Sequence, residues 1–414
     1  DPGCPDALGE AGKRSTRSDP IHAGKSRHGA TLPMNTDEKP DLGTFYDAIE
    51  PLSQFEPSCS YLARDWEDAD EWRRDTREMI RELLGFKIEN VPLNSSVDSL
   101  EVHEGIVNEE ISYDLPYGPR TEGVFLYPEK PAKRLPAFLA LHDHGGFFYF
   151  GKEKIVETKI QSKALADFKA AHYQGRSWAN ELAKRGFAVL VIDVSLWGSR
   201  RIPLDSVNPE LMKFLENLEP GSEEYIQQFN EYWDSIEAPI TISTLLNSGT
   251  CWPGIQLFED QRSLDYLLMR PEVDPGKIGC GGLSMGGQRT IFLAGMDPRI
   301  KFAVCVGFMS TVQKMLRNHI RGNGVGFYVP RLTRLMDLPD VISLHAPNPL
   351  MVLYNNGDRL FSLEGQQEAD RKIALIYSKM GFRENYVGRF YEGRHKFDTQ
   401  MQEDAFSWLD DQVV

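Results

Sequence analysis

Residues 277–294 read Lys-Ile-Gly-Cys-Gly-Gly-Leu-Ser-Met-Gly-Gly-Gln-Arg-Thr-Ile-Phe-Leu-Ala, and this stretch decides the fold. Its apolar start, Lys277–Cys280, predicts a strand, and Gln288–Ala294 predicts a helix after a glycine-rich turn. Ser284 lies in that turn, within the pattern Gly-x-Ser-x-Gly. Glycines on both sides let strand and helix pass closely around a strained serine, as a nucleophile elbow requires. The competing interpretation is a glycine-rich turn with an inert serine.

Outward from this stretch, strands and helices alternate along the chain after Pro131, which predicts βαβ units and a mostly parallel sheet covered on both faces. Before Pro131, residues 98–128 alternate in polarity and predict antiparallel strands. Phe45–Phe86 has apolar residues at helical spacing and ends at Gly85, a helix-stop residue. The strand candidates after Pro131 are Pro136–Leu141, Phe187–Ile192, Lys277–Cys280, Ile300–Val306, Pro349–Tyr354 and Asn385–Tyr391.

The composition is that of an ordinary globular protein. Its 41% hydrophobic and 26% charged residues exclude a collagenous, coiled-coil or wholly disordered chain. A net charge of −15 argues against nucleic acid or an anionic membrane as the main partner. No apolar run is long enough to span a bilayer, and no signal segment opens the chain. The five cysteines are scattered without a C-x-x-C pair, which favours free thiols and a cytoplasmic location.

The 414 residues divide into three predicted parts. Residues 1–33 contain no aromatic residue and are interpreted as a disordered tail or an expression remnant, with Met34 as the natural start. Residues 34–90 form an N-terminal helical segment, and residues 91–414 form the α/β domain. Within that domain residues 197–246 are far longer than a simple crossover needs, so we expect a helical insertion that acts as a lid.

A serine hydroxyl needs a base and an orienting acid, and after a nucleophile elbow these follow in the order acid, then histidine, each just beyond a strand. Asp358 follows the strand that ends at Tyr354, and His395 follows the strand that ends at Tyr391. Ser284, Asp358 and His395 are therefore the predicted catalytic residues. Glu392 is the fallback acid, disfavoured because it is so close in sequence to His395.

The loop after the first parallel strand, His142-Asp-His-Gly-Gly146, is the predicted site of oxyanion binding, since glycines let backbone N–H groups point at developing negative charge. The N–H of Met285, after the nucleophile, is one expected donor. The other comes from Gly145, Gly146 or Phe147. His142 and His144 could instead be metal ligands, but no third ligand has suitable spacing.

Four residues are expected to line the substrate pocket: His144, Phe147, Trp197 and Arg200. Arg200 has two interpretations, because an arginine can bind a substrate carboxylate or form a structural ion pair with a nearby acid. The ion pair is the favoured one. Cys280 and Cys305, each in a buried strand, are interpreted as inert core residues.

Taken together, the motifs around His142, Asp193–Arg201, Ser284, Asp358 and His395 resemble the α/β-hydrolase superfamily, and within it the dienelactone-hydrolase-like and acetyl-xylan-esterase-like branch. The resemblance covers roughly residues 90–411. It implies an eight-stranded, mostly parallel sheet, a Ser–His–Asp triad and hydrolysis of carboxylic esters without a cofactor or metal. Dienelactone hydrolases proper use a cysteine, so the serine makes dienelactone itself an unsuitable substrate.

The resulting hypothesis is a serine carboxylesterase that acts on small, short-chain acyl esters through an acyl-enzyme. A prolyl-oligopeptidase-like peptidase has the same fold and triad order, but the segment before residue 91 is too short for the β-propeller such enzymes carry. The same scaffold could also serve a lyase, a C–C hydrolase or a binding protein without activity. Whether the chain forms a homo-oligomer is left open.

Overall fold

A computed structural model describes residues 39–54, 57–66, 68–160, 162–203, 206–207 and 213–413. These residues belong to one compact unit, Thr36–Val414. The interpretation of residues 1–33 as a tail, and of Met34 as the natural start, concerns residues outside the described ones.

The centre of the unit is a single sheet of nine strands. The strands are β1 Ser96–His103, β2 Ile106–Tyr113, β3 Thr121–Pro128, β4 Leu135–Ala140, β5 Ala188–Ile192, β6 Val273–Leu283, β7 Phe302–Val306, β8 Leu350–Asn355 and β9 Tyr386–Tyr391. Their order across the sheet is β1-β2-β3-β5-β4-β6-β7-β8-β9. The expected mostly parallel α/β sheet is confirmed, but the strand number of eight is wrong by one.

The ninth strand comes from the antiparallel part. The sequence predicts antiparallel pairing over residues 98–128, and this region contributes three strands because Glu104 and Gly105, both at positive φ, turn β1 back along β2. β3 also pairs antiparallel with β5. From β5 to β9 every neighbouring pair is parallel, so the carboxyl ends of these strands meet at one edge. Loops at this edge carry the predicted functional residues, as in other open α/β sheets.

Helices cover both faces of the sheet. They are α1 Tyr46–Ser53, α2 Ala69–Leu84, α3 Lys163–Tyr173, α4 Trp178–Lys184, α5 Glu223–Ile236, α6 Ser243–Asn247, α7 Trp252–Met269, α8 Met285–Met296, α9 Gly324–Phe327, α10 Leu332–Leu335, α11 Leu338–Ser343, α12 Leu363–Lys379 and α13 Thr399–Gln412. Successive residues of a strand point to opposite faces. Thus Phe138 and Ala140 of β4 pack under α4 and α13, whereas Ala137 and Leu139 pack in the core of α2, α7, α8, α11 and α12.

The N-terminal helices are packed against the α/β core. α2 ends at Gly85 in the left-handed conformation, as the sequence predicts. Trp72 of α2 is fully buried and its indole donates to the carbonyl of Cys59. Arg77 donates to the carbonyls of Gly295 and Leu344 at 2.8 and 2.9 Å, which joins α2 to the ends of α8 and α11.

The insertion expected over 197–246 contains α5, a π-helical turn Glu237–Ile242 and α6. α5 begins at Ser222, whose hydroxyl accepts from the N–H of Tyr225. Its buried face carries Tyr225, Phe229 and Trp233. Tyr149, which follows β4, meets Tyr225 and Phe229 edge-on, so the insertion covers the carboxyl edge of the sheet near that loop.

Two observations concern the whole described chain. Among the described helices, none combines the length and apolarity needed to cross a membrane. Cys59, Cys251, Cys280 and Cys305 are free thiols, and Cys4 lies outside the described residues.

The packing of α2 leads to a stability prediction. Replacing Trp72 by Ala should lower the free energy of unfolding by about 3–5 kcal/mol, because it leaves a large cavity and an unpaired carbonyl. Arg74→Ala, on the exposed side of the same helix, should change it by less than about 0.5 kcal/mol. Urea unfolding followed by fluorescence measures both. A loss below about 1 kcal/mol in Trp72→Ala would show that α2 is not part of the cooperative core.

Candidate active site

Ser284 occupies a sharp turn between β6 and α8. Its φ of 58° and ψ of −120° are strained for a residue with a side chain. A Cβ on Gly282 or on Gly286 would overlap the carbonyl oxygen of Leu141, so only glycine fits on either side. The Ser284 N–H donates to the carbonyl of Val306 at 2.9 Å, and α8 begins at the next residue. The local geometry is therefore that of a nucleophile elbow.

Asp358 and His395 follow β8 and β9, and they are in direct contact. His395 Nδ1 lies 2.6 Å from Asp358 Oδ2. The Asp358 carboxylate also accepts from the N–H of Leu360, which holds it in the turn after β8. Glu392, the fallback acid, is exposed and accepts instead from the side chain of Asn356 at 3.0 Å.

The imidazole of His395 lies beside the turn that holds Ser284. A Cβ placed on Gly307 would be 3.1 Å from Cε1 of His395, and Gly307 directly follows the Val306 carbonyl that binds Ser284. His395 Nε2 is buried and has no hydrogen-bond partner among the described residues. The structure thus brings the three predicted catalytic residues to one place, at the carboxyl ends of β6, β8 and β9.

Two opposing effects act on His395. Burial lowers the pKa of its imidazole, but the Asp358 carboxylate, by charge and by hydrogen bond, and the more distant Asp143 together raise it. The net result is a pKa above the ordinary value of 6.5. A group with these properties can accept a proton at Nε2 while the carboxylate stabilises the imidazolium that results.

The segment 142–147, here called the glycine loop, follows β4 and lies against the elbow, where a Cβ on Gly286 would be 3.4 Å from the His142 carbonyl oxygen. Gly145 and Gly146 have φ values of 61° and 60°. The N–H of Gly146 donates to His144 Nδ1 at 2.9 Å, and the N–H of Phe147 donates to the His144 carbonyl at 3.2 Å. Of the three N–H groups considered from the sequence, only that of Gly145 has no acceptor among the described residues. The N–H groups of His144 and of Met285 are also without one.

His144 links the glycine loop to the insertion. Because Gly146 donates to its Nδ1, the proton of the neutral ring is on Nε2, which lies 2.9 Å from the carboxylate of Glu237. Burial lowers the pKa of His144, and the Glu237 carboxylate more than reverses this. No sequence pattern pointed to Glu237, because it is 93 residues away and its place depends on how the insertion packs.

The other predicted pocket residues are packed inside the protein. Trp197 is fully buried, with its ring 4.8 Å from that of Phe148 and 5.0 Å from that of His144. Phe147 packs on Phe168 at 5.0 Å between ring centres. Trp197 thus packs against the ring of His144 in the glycine loop, and Phe147 ties the end of that loop to α3.

Arg200 has the structural partner that the sequence interpretation favoured. Its guanidinium lies 2.9 Å from Glu259, and the exposed fraction of either side chain is only 1%. The same guanidinium donates to the carbonyls of Tyr117 and Pro119. The Arg200 guanidinium therefore binds the loop after β2 and does not point into open space.

His142 and His144 are the two histidines of the glycine loop. His142 is buried, and burial with the nearby Lys154 and Arg289 lowers its pKa to about 3, so it is neutral. Its Nδ1 lies 3.0 Å from the carbonyl of Asp143. In the described part of the chain, no group of three or more His, Cys, Asp or Glu side chains could hold a metal ion.

Sequence comparison finds a family match and a curated relative. The Abhydrolase family matches residues 221–372, a range that includes Ser284 and Asp358. A putative hydrolase of Bacillus subtilis, YtaP, is 26% identical over 317 residues, which are 76% of this chain and 91% of YtaP.

Solved structures are similar over most of both chains. A putative acetyl xylan esterase from Bacteroides fragilis has a TM-score of 0.62 at 18% identity, covering 84% of this chain and 82% of its own. A glucuronoyl esterase from Solibacter usitatus has a TM-score of 0.58 at 14% identity, covering 87% and 98%. The strand order, the elbow and these similarities show that the chain has the α/β-hydrolase fold.

Proposed function

We propose that the protein is a serine hydrolase of carboxylic esters. The observation that carries this proposal is the strained Ser284 beside a histidine whose Nδ1 is bound by Asp358 and whose buried Nε2 has no partner among the described residues. An unpartnered nitrogen at that position is ready to take the proton of the serine hydroxyl. The similar acetyl xylan and glucuronoyl esterases support the same reaction class.

The reaction proceeds in two halves. His395 Nε2 accepts the Ser284 proton as Oγ attacks the ester carbonyl, and the carbonyl oxygen becomes an oxyanion. Collapse of this intermediate breaks the bond to the alcohol, which leaves with the proton from Nε2. The acyl group remains on Oγ. Water then attacks the acyl carbonyl and gives its proton to His395 Nε2. As the second tetrahedral intermediate collapses, the bond between the acyl carbon and Oγ breaks, Nε2 returns the proton to Oγ, and the carboxylic acid is released.

The N–H groups of Met285 and Gly145 are assigned to the oxyanion. Met285 is the first residue of α8, so its N–H has no acceptor within the helix and lies at the positive end of the helix dipole. The Gly145 N–H is free of acceptors among the described residues, whereas that of Gly146 is bound to His144. Gly146, a candidate donor from the sequence, therefore acts in shaping the loop.

The proposed substrates are small esters with short acyl chains and a hydroxyl-rich remainder. The names of the similar acetyl xylan and glucuronoyl esterases specify esters of carbohydrates, which supports a hydroxyl-rich remainder. The insertion is held to the glycine loop through Glu237 and covers this edge of the sheet near Tyr149, which favours a small ligand.

The first prediction about catalysis concerns the nucleophile. Ser284→Ala should lower kcat on short p-nitrophenyl esters by on the order of 10³-fold or more, with the fold unchanged. Ser343→Ala, which removes a buried hydroxyl from α11, should leave kcat within about threefold.

A panel of esters graded by acyl length, with sugar acetates, lactones, triglycerides and peptides, should show the highest kcat/KM for acyl chains of about two to four carbons. Wild-type turnover by Ser284→Ala, or a preference for peptides, contradicts the proposal.

The second prediction concerns the base. Because only the neutral imidazole can accept the serine proton, kcat/KM should fall as the pH drops through the His395 pKa, at a midpoint above 6.5. Asp358→Asn removes the attraction that raises this pKa, so the acid limb should move to lower pH while kcat falls by about 10²–10⁴-fold. Rate profiles between about pH 4 and 9 test this. If the acid limb of the Asp358→Asn profile stays at the wild-type pH, a group other than His395 causes it.

A further inference from the structure

Lys154 is a wholly buried lysine that binds the glycine loop. Its side chain has no exposed area, and its Nζ donates to the carbonyls of Asp143 and His144, each at 2.8 Å. The nearest carboxylate oxygen, Oδ2 of Asp143, is 4.0 Å away. The mechanism proposed above does not use this group.

A buried ammonium is costly for a protein. Burial lowers the pKa of Lys154 to about 8, although Asp143, Asp193 and Glu153 oppose the shift. A methionine of similar length would fill the same space without giving up hydration. The charge of the ammonium is therefore expected to act on the two carbonyl groups that it binds, those of Asp143 and His144.

Peptide geometry shows what those hydrogen bonds achieve. In a trans peptide the carbonyl and the following N–H point in opposite directions. Since the carbonyls of Asp143 and His144 both point at Nζ, the N–H groups of His144 and Gly145 both point away from it. Neither N–H has an acceptor among the described residues. The loop that carries them lies against the elbow, where a Cβ on Gly286 would be 3.4 Å from the His142 carbonyl.

We propose that Lys154 is a positioning residue for the ester hydrolysis proposed above, holding the N–H groups of His144 and Gly145 toward the oxyanion. His144 thereby becomes a further donor, through its backbone rather than its ring. The ammonium also polarises both peptides, which makes their N–H groups stronger donors in a water-poor interior. This inference rests on the proposed function but adds a residue that does not touch the substrate.

The chain offers a matched control. Lys169 is also buried, its Nζ donates to the Val156 carbonyl at 2.6 Å and to Ser177 Oγ at 3.0 Å, and burial lowers its pKa to about 8. Its ammonium does not bind the glycine loop. Lys154→Met and Lys169→Met therefore remove the same charge from similar surroundings, but only the first removes it from the proposed oxyanion donors.

The experiment compares wild type, both variants and Ser284→Ala on p-nitrophenyl acetate. Lys154→Met should lower kcat by about 10²-fold with KM within about threefold, whereas Lys169→Met should keep kcat within about threefold. Inhibition by 1,1,1-trifluoroacetone, whose serine adduct carries an oxyanion, should weaken in Lys154→Met in proportion to kcat/KM. Equal losses of kcat in both lysine variants, or inhibition unchanged in Lys154→Met, overturn the inference. Ser284→Ala distinguishes failure of the Lys154 inference from failure of the proposed function. Full activity of Ser284→Ala would contradict the proposed function itself.

If Lys154→Met does not fold, the pH dependence of kcat tests the inference instead. The protonated ammonium is the active form, so kcat of wild type should fall as pH rises through about 8. Lys169→Met should keep this alkaline limb. A flat profile in both proteins from about pH 7 to 9.5, or loss of the limb in Lys169→Met, contradicts the inference. The titratable groups that face Lys154 are Asp143, His142 and His144 of the glycine loop, Asp193 after β5, Glu153 of its own turn and His172 of α3.

Discussion

The backbone carbonyl of Leu141 lies directly against Gly282 and Gly286, and the site depends on this close approach. Any side chain at either glycine would push β4 away from the elbow and carry the glycine loop with it. The strained backbone of Ser284 costs about 1–3 kcal/mol. It is held by the Ser284 N–H bond to Val306 and by the Gln288 N–H bond to the Ser284 carbonyl. Packing of β6, β7 and α8 thus stabilises a conformation that the serine alone would not adopt.

The second constraint is electrostatic. The proposed reaction would create negative charge beside the glycine loop, yet the protein has a net charge of −15 and carries Asp143, Glu237 and Asp358 in this region. Each of these carboxylates has a partner: Tyr173 donates to Asp143, His144 to Glu237 and His395 to Asp358. In the proposed mechanism the developing oxyanion would therefore lie near carboxylates that already have hydrogen-bond partners.

Local patterns are enough to predict the elements and the order of the catalytic candidates. Apolar runs, turn glycines and the elbow motif are short-range features, so they indicate β4 to β9 and the strand-end positions of Asp358 and His395 directly. The ninth strand, at the edge of the sheet, could not be predicted, because the resemblance implies eight strands and one region of alternating polarity can hold two strands or three. Lys154 and Glu237 could not be predicted for a different reason: a buried lysine and a glutamate in an insertion have no sequence signature, since their partners are set by tertiary packing.

The insertion and the glycine loop form one hydrogen-bonded unit. Glu237 accepts from His144 Nε2, which fixes the proton on that nitrogen and leaves Nδ1 to accept from the Gly146 N–H. That bond occupies the Gly146 N–H, next to the left-handed Gly145. The imidazole of His144 therefore joins the π-helical turn of the insertion, through Glu237, to the part of the glycine loop that carries Gly146. The position of the insertion and the conformation of the loop after β4 thus depend on the same side chain.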